Sequence, residues 1–156
     1  MKHLYFQISL LLTLTLFSGH AFSQEKALLD NATYQGAKAT ESSYKVIFQL
    51  DRGSDEIIQK AIRNINNLLE DPRLKGNVEI QLVAFSGGTN AFKKGSGYQK
   101  AIQGLVEKGV LVTQCLNTLK ERKIAKSELY DFLGYVPTGN GELLLRAAQG
   151  WTIIKP

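Results

Sequence analysis

The sequence predicts one α/β domain: a mostly parallel five-stranded sheet with helices on both faces. Three observations predict it. From Tyr44 onward, short β-rich runs alternate with apolar stripes of helical period. Each connection is long enough for a right-handed crossover between parallel strands. The 156 residues, 44% hydrophobic and 21% charged, have the balance of a single globular domain.

The first segment is set aside before the fold is read. Lys2 and His3 precede the apolar run Ile8 to Phe17, and the small-residue site Ala21-Phe22-Ser23 follows it. This is the pattern of a secretory signal peptide over residues 1–23, cut before Gln24. The apolar run falls short of the ~20 residues that span hydrocarbon, so no stable membrane insertion is expected. No cysteine lies near the cut, so lipid attachment there is not expected. The protein is expected to be exported, periplasmic or secreted.

Residues 24–43 are polar without a sustained period and read as an arm or linker, with one short helix at Glu25 to Asp30. The α/β domain is placed at 44–156. Its first strand is Tyr44 to Leu50, closed by Asp51-Arg52-Gly53-Ser54, where Ser54 is suited to cap a helix. Ile57, Ile58, Ala61, Ile62, Ile65, Leu68 and Leu69 form that helix's buried stripe, ended by Asp71-Pro72. The second strand, Val78 to Phe85, runs into Ser86-Gly87-Gly88-Thr89-Asn90, a loop whose glycines permit close approach of backbone to a ligand. A second helix buries Tyr98, Ala101, Ile102, Leu105 and Val106, with Gly109 as its left-handed terminator. The third strand, Val110 to Gln114, hands over to a short helix at Cys115. A fourth strand at Phe132 to Val136, a turn at Pro137 to Gly141, a helix at Glu142 to Gln149 and a strand at Trp151 to Ile154 complete the order.

In such sheets ligands sit beyond the carboxyl ends of the strands. That edge gathers Asp51 to Ser54, Ser86 to Asn90, Cys115 and Pro137 to Gly141. Both histidines, His3 and His20, belong to the expected signal segment, so the remaining chain has no imidazole. Hydrolases with a histidine base and the usual zinc enzymes are thereby excluded. The one cysteine cannot close an intrachain disulfide. The formal charge of +5 is spread over Lys93-Lys94, Lys120 to Lys126 and Lys155 as solvated faces, and no nucleic-acid partner is expected.

The candidate for chemistry is Cys115. A thiol at a helix's first turn meets unpaired N–H groups and the positive end of the helix dipole, which favour negative charge on sulfur. A small buried hydrophobe is the other reading of the same position. Asn117 and Thr118 suit donors to a sulfur anion and equally suit helix caps. Ser86, Gly87, Gly88 and Asn90 suit an anion cradle and equally a plain turn; the loop lacks the lysine and spacing of a nucleotide-binding loop. Pro137-Thr138-Gly139-Asn140-Gly141 lacks the third glycine of a dinucleotide fingerprint, and no cofactor is expected.

Tyr44-Lys45-Val46-Ile47-Phe48, Val78 to Phe85, Gly109-Val110, Cys115-Leu116-Asn117-Thr118-Leu119, Val136-Pro137-Thr138-Gly139 and the closing Gln149 to Pro156 carry a resemblance. On them the chain from Tyr44 to Pro156 resembles the DsrE/DsrF-like family of small sulfur-handling proteins. The resemblance implies flavodoxin-like layering, homotrimers or hexamers, and a cysteine that carries sulfur as a persulfide, a position that Cys115 matches. It implies sulfur donor and acceptor proteins as partners and no metal or organic cofactor. Best-known carriers of the group are cytoplasmic, whereas this chain has an export pattern and an extra arm. Two other readings stand beside it: an oligomeric small-ligand-binding or structural protein with an inert Cys115, and a redox sensor that forms mixed disulfides.

Overall fold

The computed structural model describes residues 23–156, so the expected export segment lies, apart from Ser23, outside the described residues. Two compact units are seen, one ending at Lys38 and the other Ala39–Pro156. In the first, residues 23–32 are helical and Lys26 pairs with Asp30 at 2.5 Å; the helix is longer than the Glu25 to Asp30 expected.

In the second, β1 (Tyr44–Leu50), α1 (Asp55–Glu70), β2 (Val78–Ala84), α2 (Gln99–Glu107), β3 (Leu111–Cys115), α3 (Leu116–Arg122), β4 (Gly134–Val136), α4 (Gly139–Ala148) and β5 (Thr152–Ile154) follow in order, with 3-10 turns at Ser86–Phe92 and Lys126–Glu128. The five strands run in the order β4-β3-β2-β1-β5 and every pairing is parallel.

Strand side chains alternate between faces, and parallel register keeps paired residues on the same face. Val46, Phe48, Leu50, Ile80, Leu82, Ala84 and Val112 therefore share one face. They pack with Ile58, Ala61 and Ile65 of α1 and with Ile102 and Leu105 of α2 into the larger core. Ile65 is fully buried there, and its replacement by Ala costs about 2–5 kcal/mol. The other face has a smaller cluster of Ile47, Val83, Val136 and Trp151 with Leu143 of α4.

Local details depart from the sequence expectations at identifiable points. Ser54 holds the N-cap position of α1 but makes no side-chain capping bond; Asp55 and Glu56 in the first turn complement the helix dipole instead. Ala101 is exposed, so the buried stripe of α2 narrows to Ile102 and Leu105. Gly109 terminates α2 as expected, at φ 89°. The expected loop at Ser86 to Asn90 is coiled into a 3-10 turn. β3 begins and ends one residue later than expected, and β4 is shorter, with Phe132 stacked on the Tyr130 ring at 5.4 Å rather than joining the ladder.

Candidate functional site

Because β3 lies between β2 and β4, its carboxyl end is flanked by theirs. Cys115 closes β3 and is also the N-cap of α3, where its Sγ accepts the Thr118 N–H at 3.4 Å. It is paired in register with Val136, on the face that carries Phe85 and α4. Its residue surface is only 3% exposed, yet it lines a cavity of about 420 Å³ at the sheet edge.

The walls of that cavity come from three segments. Phe85 and Ser86 follow β2; Asn117, Thr118, Glu121 and Arg122 come from α3; Thr138, Gly139 and Asn140 open α4. Thr138 caps α4, its Oγ1 accepting the Gly141 N–H at 3.1 Å, so the start of this ten-residue helix adjoins the cavity. Gly139 is required by packing: a Cβ there would stand 2.4 Å from the Phe85 ring.

Ser86 sits at φ 49°, a left-handed conformation that an L side chain rarely adopts. Two bonds hold it. Its N–H donates to Thr118 Oγ1 at 3.0 Å, and its carbonyl accepts from Arg122 Nη1 at 2.8 Å. The guanidinium is thereby tied beside the thiol's cavity. Glu121 faces the same space and takes the Asn117 Nδ2–H at 2.8 Å, so the wall holds one positive and one negative side chain. Among the described residues, no group of three or more His, Cys, Asp and Glu side chains is placed to hold a metal ion.

Of the residues singled out from sequence, Cys115, Ser86, Asn117 and Thr118 come together on this cavity, and Gly87, Gly88 and Asn90 do not. The glycines serve a close approach, but to the chain's own backbone. A Cβ on Gly88 would lie 1.9 Å from the Leu50 carbonyl oxygen, and one on Gly87 would lie 3.0 Å from the Gly53 nitrogen. Asn90 is turned toward Gly53, its Nδ2 2.7 Å from where a Cβ on that glycine would stand. Asp51 is also outside the cavity, paired with Lys155 at 2.7 Å. Glu121 and Arg122 were missed by sequence reasoning, although they stand four residues after Asn117 and Thr118 and so share their side of the helix.

No known family model matches the chain, and no curated protein does. Among solved structures, it is similar to MTH1491 from Methanobacterium thermoautotrophicum, a protein of unknown function, with 30% identity and a TM-score of 0.69 over 73% of this chain and 100% of that one. It is also similar in fold to the ychN protein from E. coli, with 17% identity and a TM-score of 0.58 over 73% of this chain and 99% of that one.

Proposed function

The chain belongs with MTH1491 in the DsrE/DsrF-like family, and from that premise we propose that it is a persulfide-forming sulfur carrier or sulfurtransferase working through Cys115. The observation that carries the reading is the setting of Cys115 Sγ: it accepts the Thr118 N–H in the wall of a cavity that also holds Arg122 and the start of α4. The guanidinium and the helix start are groups that attract an anionic sulfur donor to this cavity, with the Glu121 carboxylate in the same wall opposing them in part.

The chemistry is a pair of sulfur exchanges. The Cys115 thiolate attacks the outer sulfur of a sulfane donor; the new Sγ–S bond forms as the donor's S–S bond breaks, and the leaving group departs with the electron pair. An acceptor thiolate then attacks the terminal sulfur of the Cys115 persulfide and releases the Cys115 thiolate. No external oxidant is consumed. Within this reading the pattern Lys2, Ile8 to Phe17, Ala21-Phe22-Ser23 is an export signal, the protein acts in the periplasm or outside the cell, and copies of the chain assemble into trimers or hexamers.

The slight exposure of Cys115 favours the second reading, a non-catalytic small-ligand binder or structural protein with an inert thiol. Mass spectrometry after exposure to a sulfane sulfur donor decides between them, with Cys115→Ser as control. Gain of one sulfur atom on folded wild type, absent in the variant, supports the carrier. A thiol that neither gains sulfur nor is alkylated until the chain is unfolded overturns it in favour of the inert thiol.

A further inference from the structure

Glycine takes a left-handed backbone without steric penalty, and a residue with a side chain does not. The turn after β2 holds two glycines, yet the left-handed place goes to Ser86, at φ 49°, while Gly87 and Gly88 follow it without a positive φ. Those two are glycines because the backbone at and after the end of β1 crowds them. Nothing comparable accounts for a serine at position 86. A glycine there would relieve the backbone and keep both bonds that hold the turn, since these are made by the N–H and the carbonyl. The strain is therefore kept for the side chain.

That side chain has somewhere to act. Ser86 is exposed, lines the Cys115 cavity, and among the described residues its hydroxyl has no hydrogen-bond partner. A strand, a left-handed serine and a helical turn, with Ala84 and Gly88 as small residues two positions to either side, form the arrangement that exposes the serine of G-x-S-x-G hydrolases. Such a serine attacks with the help of a base. Both histidines, His3 and His20, lie outside the described residues, and the one carboxylate in the cavity wall, Glu121, is turned to Asn117 Nδ2 at 2.8 Å. A hydroxyl without a base is a hydrogen-bond donor.

The sulfur exchange at Cys115 has a place for such a donor. As the thiolate attacks, the atom beyond the breaking S–S bond takes the electron pair and leaves as an anion. Displacement at sulfur is in line, so this atom stands on the far side of the transferred sulfur from Sγ, out in the cavity. We propose that the Ser86 hydroxyl donates a hydrogen bond to the departing sulfur of an alkyl persulfide donor. The bond strengthens as charge develops there, so it favours the transition state over the bound donor. With glutathione persulfide the Cys115 Sγ–S bond forms, the donor's S–S bond breaks, and the glutathione thiolate leaves with the electron pair; no oxidant is consumed. The proposal rests on the carrier reading above and adds the residue that handles its leaving group.

Two substitutions test it, with sulfur transfer from glutathione persulfide followed by mass spectrometry and expressed relative to the rate of alkylation by iodoacetamide. Ser86→Ala keeps the left-handed strain and loses the hydroxyl; Ser86→Gly loses both. Each is expected to lower the ratio by about tenfold. Ser86→Gly is expected to melt no lower than wild type and up to about 4 °C higher, so that stability and transfer part company. Slowing confined to Ser86→Gly, or accompanied there by a lower melting temperature, would show that position 86 serves the turn and would overturn the proposal. Variants that take up sulfur as fast as wild type overturn it and leave the carrier reading standing. Wild type that gains no sulfur overturns both.

Discussion

The hydroxyl of Thr118 accepts the Ser86 N–H at 3.0 Å, while Thr118's own N–H donates to Cys115 Sγ. One nearly buried threonine therefore fixes both the left-handed turn after β2 and the sulfur at the end of β3. Thr118→Val keeps the shape and removes the acceptor, leaving a partly buried backbone N–H without a partner. The expected loss is about 1–3 kcal/mol, whereas Thr118→Ser stays within about 1 kcal/mol of wild type. Urea unfolding of the two variants checks the difference; a larger loss in Thr118→Ser than in Thr118→Val would mean that the methyl group, not the hydroxyl bond, matters.

Two glycines are expected to respond to alanine with opposite signs. At Gly88 the added Cβ would fall 1.9 Å from the Leu50 carbonyl oxygen, backbone that cannot turn aside, so Gly88→Ala is expected to cost at least about 3 kcal/mol. At Gly104, inside α2, a Cβ meets nothing within 4 Å, and Gly104→Ala is expected to gain about 0.5–1 kcal/mol by restricting the unfolded chain. Thermal unfolding reads both, and a Gly88→Ala protein as stable as wild type would disprove the close-packing account of the Ser86 turn.

Those glycines also mark where sequence reading reaches its limit. The strands and helices were legible because β-rich runs and helical stripes are local patterns, and Tyr44–Leu50 and Ile58, Ala61, Ile65 are where the periodicities put them. Cys115, Ser86, Asn117 and Thr118 were legible as a group because strand ends converge on one edge of a parallel sheet. Which way a loop turns there is not local. Whether Gly87 and Gly88 face a ligand or β1 depends on β1 being the neighbour of β2, and the burial of Gln81 depends on Arg146, 65 residues away in sequence.

The ion pair of Asp51 with Lys155 ties the end of β1 to the residues after β5 at 2.7 Å. Burial is the largest single influence on Asp51 and pushes its pKa up, but the hydrogen bond and charge of Lys155, with further hydrogen bonds, outweigh it and leave the value below the ordinary 3.8. A depressed carboxylate pKa contributes stability that is fully present above the unfolded-state value and is lost as pH falls through the folded-state value. Lys155→Ala is therefore expected to lower stability near neutral pH by no more than about 1 kcal/mol, the pair being partly solvated. The gap between variant and wild type should close in strong acid. A gap that persists after Asp51 is protonated would show that Lys155 acts through packing of its stem.

Arg122 offers the sharpest separation of charge from shape in the Cys115 cavity. Its guanidinium is held by the Ser86 carbonyl at 2.8 Å and faces the space into which Cys115 and the start of α4 open. An anionic donor such as thiosulfate approaching Cys115 feels that charge, partly offset by Glu121, while neutral iodoacetamide does not. Arg122→Gln is expected to slow the thiosulfate reaction by about threefold to tenfold relative to alkylation by iodoacetamide at low ionic strength. In 1 M salt, where the screening length shrinks to about 3 Å, the difference should largely vanish. Equal slowing of both reagents, unaffected by salt, would instead mean that Arg122 shapes the cavity by holding the Ser86 turn; the electrostatic part of the carrier reading would then fall to the helix start alone.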